Sequence, residues 1–358
     1  MHVSSLSKAF LCALFLVPFL SCASAPEVPV RESLIAPADD TWIVYNGTEG
    51  PGVGKRVLLI AGDEEYRSEE AMPQLARILA FRHGFDCAVL FSQTDGVINP
   101  DDRRNIPGLE LLYEVDMVVL FTRFRELSDE DMERFAAYLD AGKPIFGIRT
   151  ATHAFHFPKE FATAYRDWRW NGPDGGFGGK VLGETWVSHH GKHGSESTRG
   201  VVVSDHPILR GVEDVWGPTD VYGIRALPED STVLLEGAVV AGMKPSDVAV
   251  DDKRNDPRMP IVWIRERELA SETGAEASVQ RIVCSTIGAS VDLLSEDLRR
   301  AFVNAVYWGA GLEGAIPERS NVAIVGEYAP THFGFGAYTK GIAPASFRLN
   351  SPDPGFRK

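Results

Sequence analysis

The stretch Lys143-Pro-Ile-Phe-Gly-Ile-Arg-Thr-Ala-Thr-His153 indicates the fold class more clearly than any other part of the chain. Residues 143–148 form a mostly apolar run of the kind that a sheet buries on both faces. The polar residues that follow, from Arg149 to His153, predict a sharp turn that opens a helix. Together they predict an elbow of strand, turn and helix, which would place polar side chains at the carboxyl end of a strand.

Apolar runs and helical patterns alternate on the N-terminal side of this elbow. The pattern predicts helices over 68–83 and 128–142 and strands over residues 56–61, 86–91 and 115–121. Strands that are joined by helices of this length form right-handed crossovers in a parallel sheet. We therefore expect an α/β fold with a doubly wound parallel sheet, which binds ligands at the carboxyl ends of its strands. That rule marks out three segments, over residues 63–66, 122–125 and 149–153.

The pattern is less regular beyond the elbow. Residues 157–200 are rich in Gly and Trp, and a loop of this length inside a domain is usually functional or disordered. Its tryptophans argue against disorder, so we expect an ordered flap over the strand ends. The remaining predictions are a last helix over residues 295–308, surface loops over 240–259 and 266–279, and strands over 201–203, 232–235, 260–265 and 281–286.

Residues 1–25 have the pattern of a signal peptide that directs export. Lys8 precedes an apolar run over residues 9–20, which is too short to span a bilayer, and small residues follow it. Two routes of processing stay open. The run Phe19-Leu-Ser-Cys22 resembles a lipobox, which would leave a lipid on Cys22 and anchor the protein in a membrane at the cell surface. Cleavage after Ala23 or Ala25 would instead release a soluble periplasmic protein.

The rest of the chain divides into a leader segment over residues 26–54, an α/β domain over 55–315 and a C-terminal tail over 316–358. The formal net charge is −14, and no cluster of Lys or Arg interrupts the acidity. This charge argues against a nucleic-acid partner and favours a small molecule such as a sugar or sugar derivative. Cys87 and Cys284 each lie in an apolar run, so we expect buried free thiols and no disulfide framework.

Several polar side chains are candidates for a site at the strand ends. His153 follows the elbow strand at the first turn of the predicted helix, where the helix dipole would keep a neutral imidazole available as a general acid or base. Arg149 could bind a carboxylate or a polyol through its planar fork, or could form a buried ion pair with Glu64 or Asp63.

Three histidines, His189, His190 and His193, lie together at the end of the flap. They could line the pocket and bind sugar hydroxyls, they could bind a metal, or they could simply be solvated. Their spacing does not match the helical His-Glu-x-x-His arrangement of a zinc protease.

Further along the chain, Asp220 and Tyr222 suit polyol binding, although Asp220 could equally cap a turn. Trp168, Trp170 and Trp186 could stack on a sugar or anchor the flap by burial.

Four segments, in this order, resemble the ThuA-like (trehalose utilisation) family of the class I glutamine amidotransferase-like superfamily. They are residues 143–155, Asp205-His-Pro-Ile208, Thr219-Asp-Val-Tyr222 and Pro260-Ile-Val-Trp263. The resemblance covers about residues 55–315 and implies a flavodoxin-like fold and a link to sugar metabolism, with keto-sugars as suspected substrates. In the amidotransferases the elbow presents a nucleophilic cysteine. Here that position holds Arg149, which is no nucleophile, or Thr150, which needs a base, so thiol amidotransfer is excluded.

These features favour an exported enzyme that acts on a carbohydrate or keto-sugar by acid/base chemistry without a cysteine nucleophile. His153 would be the general acid/base, and the substrate-binding residues would be Glu64, Arg149, His189, His190, Asp220 and Tyr222. Two alternatives stay open: a non-catalytic sugar-binding or accessory protein, and a metal-dependent hydrolase that uses His189, His190 and His193. Apart from such a metal, no cofactor is expected.

Overall fold

The computed structural model describes residues 1–2, 34, 36–269 and 278–349. Contacts divide the chain into a unit of residues 1–32 and a unit of residues 33–358, and the second unit holds the fold described here. Cys22 and nearly all of the predicted signal peptide lie outside the described residues. Within the described part of the chain, no helix has the length and apolar character needed to cross a membrane.

The second unit is built around one large mixed sheet with helices on both faces. Its helices are α1 (Ser68–His83), α2 (Asp129–Asp140) and α3 (Glu296–Gly309). Its strands are β1 (Ile43–Tyr45), β2 (Arg56–Gly62), β3 (Asp86–Phe91), β4 (Gln93–Thr94), β5 (Val97–Ile98), β6 (Met117–Thr122), β7 (Ile145–Ile148), β8 (Ser197–Val202), β9 (Val215–Gly217), β10 (Ser231–Val240), β11 (Met259–Leu269) and β12 (Ser278–Ser285).

Ten of these strands form the sheet, in the order β1-β3-β2-β6-β7-β12-β11-β10-β8-β9, while β4 and β5 form a separate hairpin. The five strands from β3 to β12 in this order run parallel. All residues of β2, β3, β6 and β7 are buried, which is why their sequences are continuous apolar runs. The predicted doubly wound α/β fold is confirmed in this parallel core.

The strands outside that core are antiparallel, a feature that the sequence pattern does not predict. Strands β11, β10, β8 and β9 extend the sheet beyond β12, and β1 pairs with β3 at the other edge. Antiparallel neighbours need no crossover helix, so long helical patterns are missing between them. The surface loops expected over 240–259 and 266–279 are partly wrong, because β10 extends to Val240 and β11 to Leu269, while β12 begins at Ser278. The end of β11 carries exposed polar residues such as Glu266, so no apolar run marks this part of the strand.

The core lies in two apolar layers, one on each face of the sheet. Helices α1 and α3 pack on one face, and α2 packs on the other. Phe302 of α3 meets Phe146 of β7 edge to face at 5.0 Å, and both are fully buried. Removing such a side chain costs about 3–5 kcal/mol, so these contacts hold the elbow strand firmly against its helix.

The Gly/Trp-rich flap packs against the sheet and the elbow. Trp263 of β11 donates its indole N–H to the Leu182 carbonyl at 2.7 Å, and Arg265 donates to the Val181 carbonyl at 2.7 Å. A Cβ on Gly178 would lie 2.0 Å from the Thr152 carbonyl oxygen, so glycine is needed where the flap meets the elbow. Trp168 stacks on Phe177 at 6.0 Å, and this contact anchors the flap.

The C-terminal tail covers α1 and reaches the carboxyl ends of the strands. His83 at the end of α1 lies 2.8 Å from the Asn321 carbonyl, and Glu70 accepts hydrogen bonds from the main chain and hydroxyl of Thr331 at 2.7 and 2.6 Å. Gly334 then donates to the Glu65 carbonyl at 2.8 Å. The tail therefore passes beside the loop that follows β2, one of the loops expected to hold a site.

Candidate active site

The elbow after β7 differs from the predicted strand, turn and helix in its last part. Residues Arg149–His153 form a single 3-10 turn, and no α-helix begins there. Arg149 has a φ of 47°, in the left-handed region that non-glycine residues seldom adopt. Backbone strain of this kind concentrates at functional sites. Arg149, and not Thr150, therefore occupies the strained point of the elbow.

Arg149 is fully buried, and its guanidinium binds the protein itself. One terminal nitrogen donates to the carboxylate of Asp220 at 3.0 Å, and the other donates to the main-chain oxygens of Thr286 at 2.6 Å and Asp220 at 2.8 Å. The guanidinium also lies 3.9 Å from the ring centre of Tyr222 and 4.5 Å from that of Tyr66. An ion pair was one of the two interpretations of Arg149, but its partner is Asp220 rather than Glu64 or Asp63.

Asp220 is a buried carboxylate held by three cationic or polar side chains. Besides Arg149, it accepts hydrogen bonds from His189 Nδ1 at 2.7 Å and from His193 Nδ1 at 3.1 Å. Burial alone would raise the pKa of Asp220, but the two histidine hydrogen bonds and the Arg149 charge outweigh it and hold that pKa well below its usual range. The side chain caps no turn, because all its partners among the described residues are side chains.

The two loop histidines approach Asp220 because their loop pairs with the residues that follow it. His190 and Gly223 donate main-chain hydrogen bonds across this pairing, at 2.8 and 2.9 Å. The rings of His189 and His193 lie 4.7 Å apart, and each side chain is about one-third exposed. His193 Nε2 also lies 3.3 Å from the Glu65 carboxylate. Hydrogen bonds with Asp220 and then Glu65 raise the pKa of His193 to about 9.

His153 lies beside this cluster, in an almost closed aromatic environment. Its ring centre is 5.1 Å from that of Phe124, 5.7 Å from Trp186 and 6.4 Å from Tyr222. Burial, followed by the charges of Arg123 and Arg149, lowers the pKa of His153 well below its usual value. We expected a helix dipole to keep this imidazole neutral. That cause is wrong because no α-helix begins there, and burial has the same effect.

Aromatic rings connect His153 to the loop histidines. Trp186 lies 5.9 Å from His189, and Tyr222 lies 5.7 Å from the same ring. Trp170 in turn lies 6.0 Å from Trp186. The structure therefore brings together four of the predicted site residues around Trp186: His153, His189, Asp220 and Tyr222, with Arg149 behind them.

Two predicted site residues lie outside this cluster. The imidazole of His190 points away, with its Nε2 2.8 Å from the Arg254 carbonyl. Glu64 forms ion pairs with Arg123 and, at 3.5 Å, with the fully buried Arg125. Its carboxylate therefore neutralises two arginines.

Three residues of the cluster were not among the predicted site residues. Glu65 and Tyr66 lie in the strand-end segment 63–66, but nothing in that segment distinguishes them from Glu64. Phe333 lies in the tail and packs 5.5 Å from both His193 and Tyr66. The only sequence signal for it is that the tail is rich in aromatic residues.

The structure offers no thiol or free hydroxyl nucleophile at the elbow. Cys87 and Cys284 are free and buried, as predicted, and burial raises the pKa of both thiols well above the usual value. The Thr150 hydroxyl is fully buried and donates to Asp63 at 2.7 Å. Among the described residues, the polar groups that meet in this cluster are imidazoles, carboxylates, the Arg149 guanidinium and the phenols of Tyr66 and Tyr222.

Two solved structures are similar, both of proteins described as ThuA-like. One, from Bacteroides uniformis ATCC 8492, is 16% identical with a TM-score of 0.44, covering 74% of this chain and 95% of that one. The other, from Parabacteroides merdae ATCC 43184, is 14% identical with a TM-score of 0.46, covering 72% and 90%. None of the curated proteins matches the sequence.

The family model named ThuA, described as trehalose utilisation, matches residues 56–309. That range begins at the first residue of β2 and ends at the last residue of α3, and it includes the elbow, the loop histidines and Asp220. It spans more than two-thirds of the chain. The chain therefore belongs to the ThuA trehalose-utilisation family.

Proposed function

We propose that the protein is an enzyme that acts on a carbohydrate or keto-sugar by acid/base chemistry at His153, without a cysteine nucleophile. The observation that carries this proposal is a buried imidazole at the elbow, whose pKa burial lowers and whose ring contacts Trp186, which in turn contacts His189 of the pair His189–Asp220. Family membership relates the chain to trehalose utilisation and so favours a sugar as the substrate.

The contacts of Thr152 favour one tautomer of His153. The Thr152 hydroxyl donates to the Arg149 carbonyl at 3.3 Å and lies 3.1 Å from His153 Nδ1. A hydroxyl has only one proton to donate; where that proton goes to the Arg149 carbonyl, the hydroxyl accepts from His153 and Nδ1 carries the hydrogen, which is the tautomer that we propose. Nε2 then has a lone pair and no hydrogen-bond partner among the described residues. It is the atom that would take a proton from a sugar hydroxyl or from the carbon next to a ketone.

A cavity beside the site suits a sugar, and it is lined by Trp186 rather than by His153. A cavity of about 320 Å³ adjoins Trp186, a size at the lower end of ligand pockets. Two indole rings and two hydrogen-bonding side chains are among the residues that line it: Trp170, Trp186, Asn171 and Arg225. Aromatic rings of this kind bind the apolar face of a sugar, while amide and guanidinium groups bind its hydroxyls.

The other residues of the site have supporting roles in this proposal. His189 is exposed enough to contact a hydroxyl, whereas Asp220 acts by orienting His189. Arg149 is a positioning residue that fixes Asp220, because both of its terminal nitrogens bind the protein. Glu64 acts indirectly, by neutralising Arg123 and Arg125.

The test begins with a thermal-shift screen against trehalose, other disaccharides and their 3-keto derivatives. Ligands that stabilise the protein are then incubated with it, and products are followed by NMR. We expect turnover by the wild type and a loss of about 100-fold or more in His153→Gln, since acid/base groups contribute about 10²–10⁴-fold. Turnover that survives in His153→Gln would reject the mechanism. Binding without turnover across the screen would instead support the sugar-binding alternative.

We also propose that the chain is exported, from the signal pattern of residues 1–25. Mass spectrometry of the membrane and soluble fractions would identify the mature N-terminus. A lipid-modified Cys22 would show anchoring, and a mature chain that lacks Cys22 would show soluble release. An uncleaved chain in the cytoplasm would contradict export.

A further inference from the structure

We propose that His189, His193 and Asp220 bind a divalent transition-metal ion such as Zn²⁺ or Mn²⁺. Each residue offers one ligand atom, and the three atoms lie within 4.8 Å of one another. The sequence suggested His190 as a third histidine ligand, but its Nε2 lies 2.8 Å from the Arg254 carbonyl, so the structure replaces it with Asp220.

The distances fit one small cation. Bonds of about 2.0–2.2 Å in a tetrahedron place neighbouring ligand atoms about 3.3 Å apart. His189 Nδ1 lies 2.7 Å from one oxygen of Asp220 and His193 Nδ1 lies 3.1 Å from the other, so a small outward movement of the carboxylate and release of the two shared protons to solvent would admit the ion. Two histidines and one carboxylate are the protein ligands of many catalytic zinc and non-haem iron sites.

Two further residues, Glu65 and Arg149, would hold the ligands in position, as the outer residues of metal sites do. A metal-binding histidine usually donates its second N–H to a carboxylate, which fixes the ring. His193 meets this condition, because its Nδ1 faces Asp220 while its Nε2 lies 3.3 Å from Glu65. Arg149 likewise lies behind Asp220, and its guanidinium donates to the Asp220 carboxylate at 3.0 Å and fixes its position.

One side of the cluster is open. Asp220 is fully buried, whereas the side chains of His189 and His193 remain about one-third exposed. A bound ion would thus have three protein ligands and at least one position for a water molecule or a substrate oxygen, as catalytic sites do. There it would polarise a sugar oxygen next to His153. That role rests on the proposed function, whereas metal binding itself does not.

The test uses the full chain without a histidine tag. The protein is treated with EDTA, dialysed and titrated with ZnCl2 or MnCl2 in a calorimeter, without any sugar. We expect one ion per chain and an affinity that falls at least about 100-fold in His189→Gln and in His193→Gln. Glu65→Gln should lose about 10–100-fold, the usual effect of removing a carboxylate behind a metal ligand.

His190→Gln is the matched control, since it removes a neighbouring imidazole that lies outside the cluster, and it should bind the metal like the wild type. His153→Gln should also bind it normally, which separates failure of the catalytic proposal from failure of this one. Circular dichroism of each metal-free variant checks that it folds. No stoichiometric binding of either metal by the wild type, or equal losses in His190→Gln and His189→Gln, would overturn the inference.

Discussion

At the scale of single residues, the site depends on polar groups that are buried and partnered. Asp220 is the clearest case, since Arg149, His189 and His193 all bind its carboxylate. The sequence indicated both Arg149 and Asp220 as site residues but did not pair them. They lie 71 positions apart, and in the folded chain the Arg149 guanidinium binds both the carboxylate and the main-chain oxygen of Asp220.

Arg149→Met should destabilise the protein by about 3–5 kcal/mol, because it removes the fully buried cation that pairs with the fully buried carboxylate of Asp220. The measurement is urea unfolding followed by circular dichroism. Arg134→Met is the control, since Arg134 pairs with Glu130 and Asp131 on the surface of α2 and should contribute less than about 1 kcal/mol. Equal losses in the two variants would contradict the buried ion pair.

Glu69 makes stability depend on pH. It is buried in the first turn of α1, and its carboxyl oxygens accept no hydrogen bond from another described residue. Burial, followed by the charge of Glu70, raises its pKa from the ordinary 4.5 to about 8. The folded state therefore holds this proton more tightly than the unfolded state, and its contribution to stability is complete below pH 4.5 and is lost as the pH rises through 8.

Glu69→Gln should consequently be more stable than the wild type at pH 8.5, by on the order of 2 kcal/mol, with a smaller difference at pH 5. Urea unfolding at both pH values measures this. Glu110→Gln, on an exposed glutamate, should show no such difference. A Glu69→Gln variant that loses stability at pH 8.5 would show that the carboxylate has a partner.

At the scale of elements, strands of the parallel core were predictable and the antiparallel half was not. Strands β2, β3 and β6 are buried on both faces, and apart from one polar residue at an end of each strand their sequences are apolar. In β10 and β11 exposed and buried residues are mixed, and an apolar run marks only part of each strand. The five-residue 3-10 turn of the elbow was taken for a helix because polar residues after a strand fit either structure.

The junction of flap and elbow yields a prediction for glycine. Gly178→Ala should destabilise the protein by at least about 1 kcal/mol, since its Cβ would lie 2.0 Å from the Thr152 carbonyl, which is main chain and cannot rotate away. Gly314→Ala is the control, because nothing lies within 4 Å of the added Cβ, and it should be neutral or slightly stabilising. Thermal unfolding of both variants would decide. Equal stability would mean that the flap does not pack against the elbow.

The C-terminal tail is a second element whose role can be measured. Phe333 is 8% exposed and packs on Tyr66 and His193, whereas Phe335 is 62% exposed and lies over Arg123. Phe333→Ala should cost about 3 kcal/mol and Phe335→Ala less than about 1 kcal/mol, by urea unfolding. If the two variants lost equal stability, Phe333 of the tail would not pack on Tyr66 and His193 as described.

At the scale of the whole molecule, the site is assembled from five separate parts of the chain. The loop after β2, the elbow, the end of the flap, the segment 220–222 and the tail each contribute a side chain within one aromatic cluster. The sequence predicted that segments 63–66, 122–125 and 149–153 lie close together, because the carboxyl ends of parallel strands meet at one edge of the sheet. It marked segment 63–66 without distinguishing Glu65 within it, and it could not place Phe333, whose role depends on how the long, irregular tail packs.

The protonation of His153 is central to the proposed chemistry, and one NMR measurement tests it without knowledge of the reaction. Long-range ¹H–¹⁵N spectra report which ring nitrogen carries the hydrogen, and His153→Gln assigns the signals. We predict a neutral ring at pH 7 with hydrogen on Nδ1 and a lone pair on Nε2, and an Nε2 signal that shifts when a stabilising sugar binds. A doubly protonated ring at pH 7, hydrogen on Nε2 alone, or no response to a bound sugar would contradict the account.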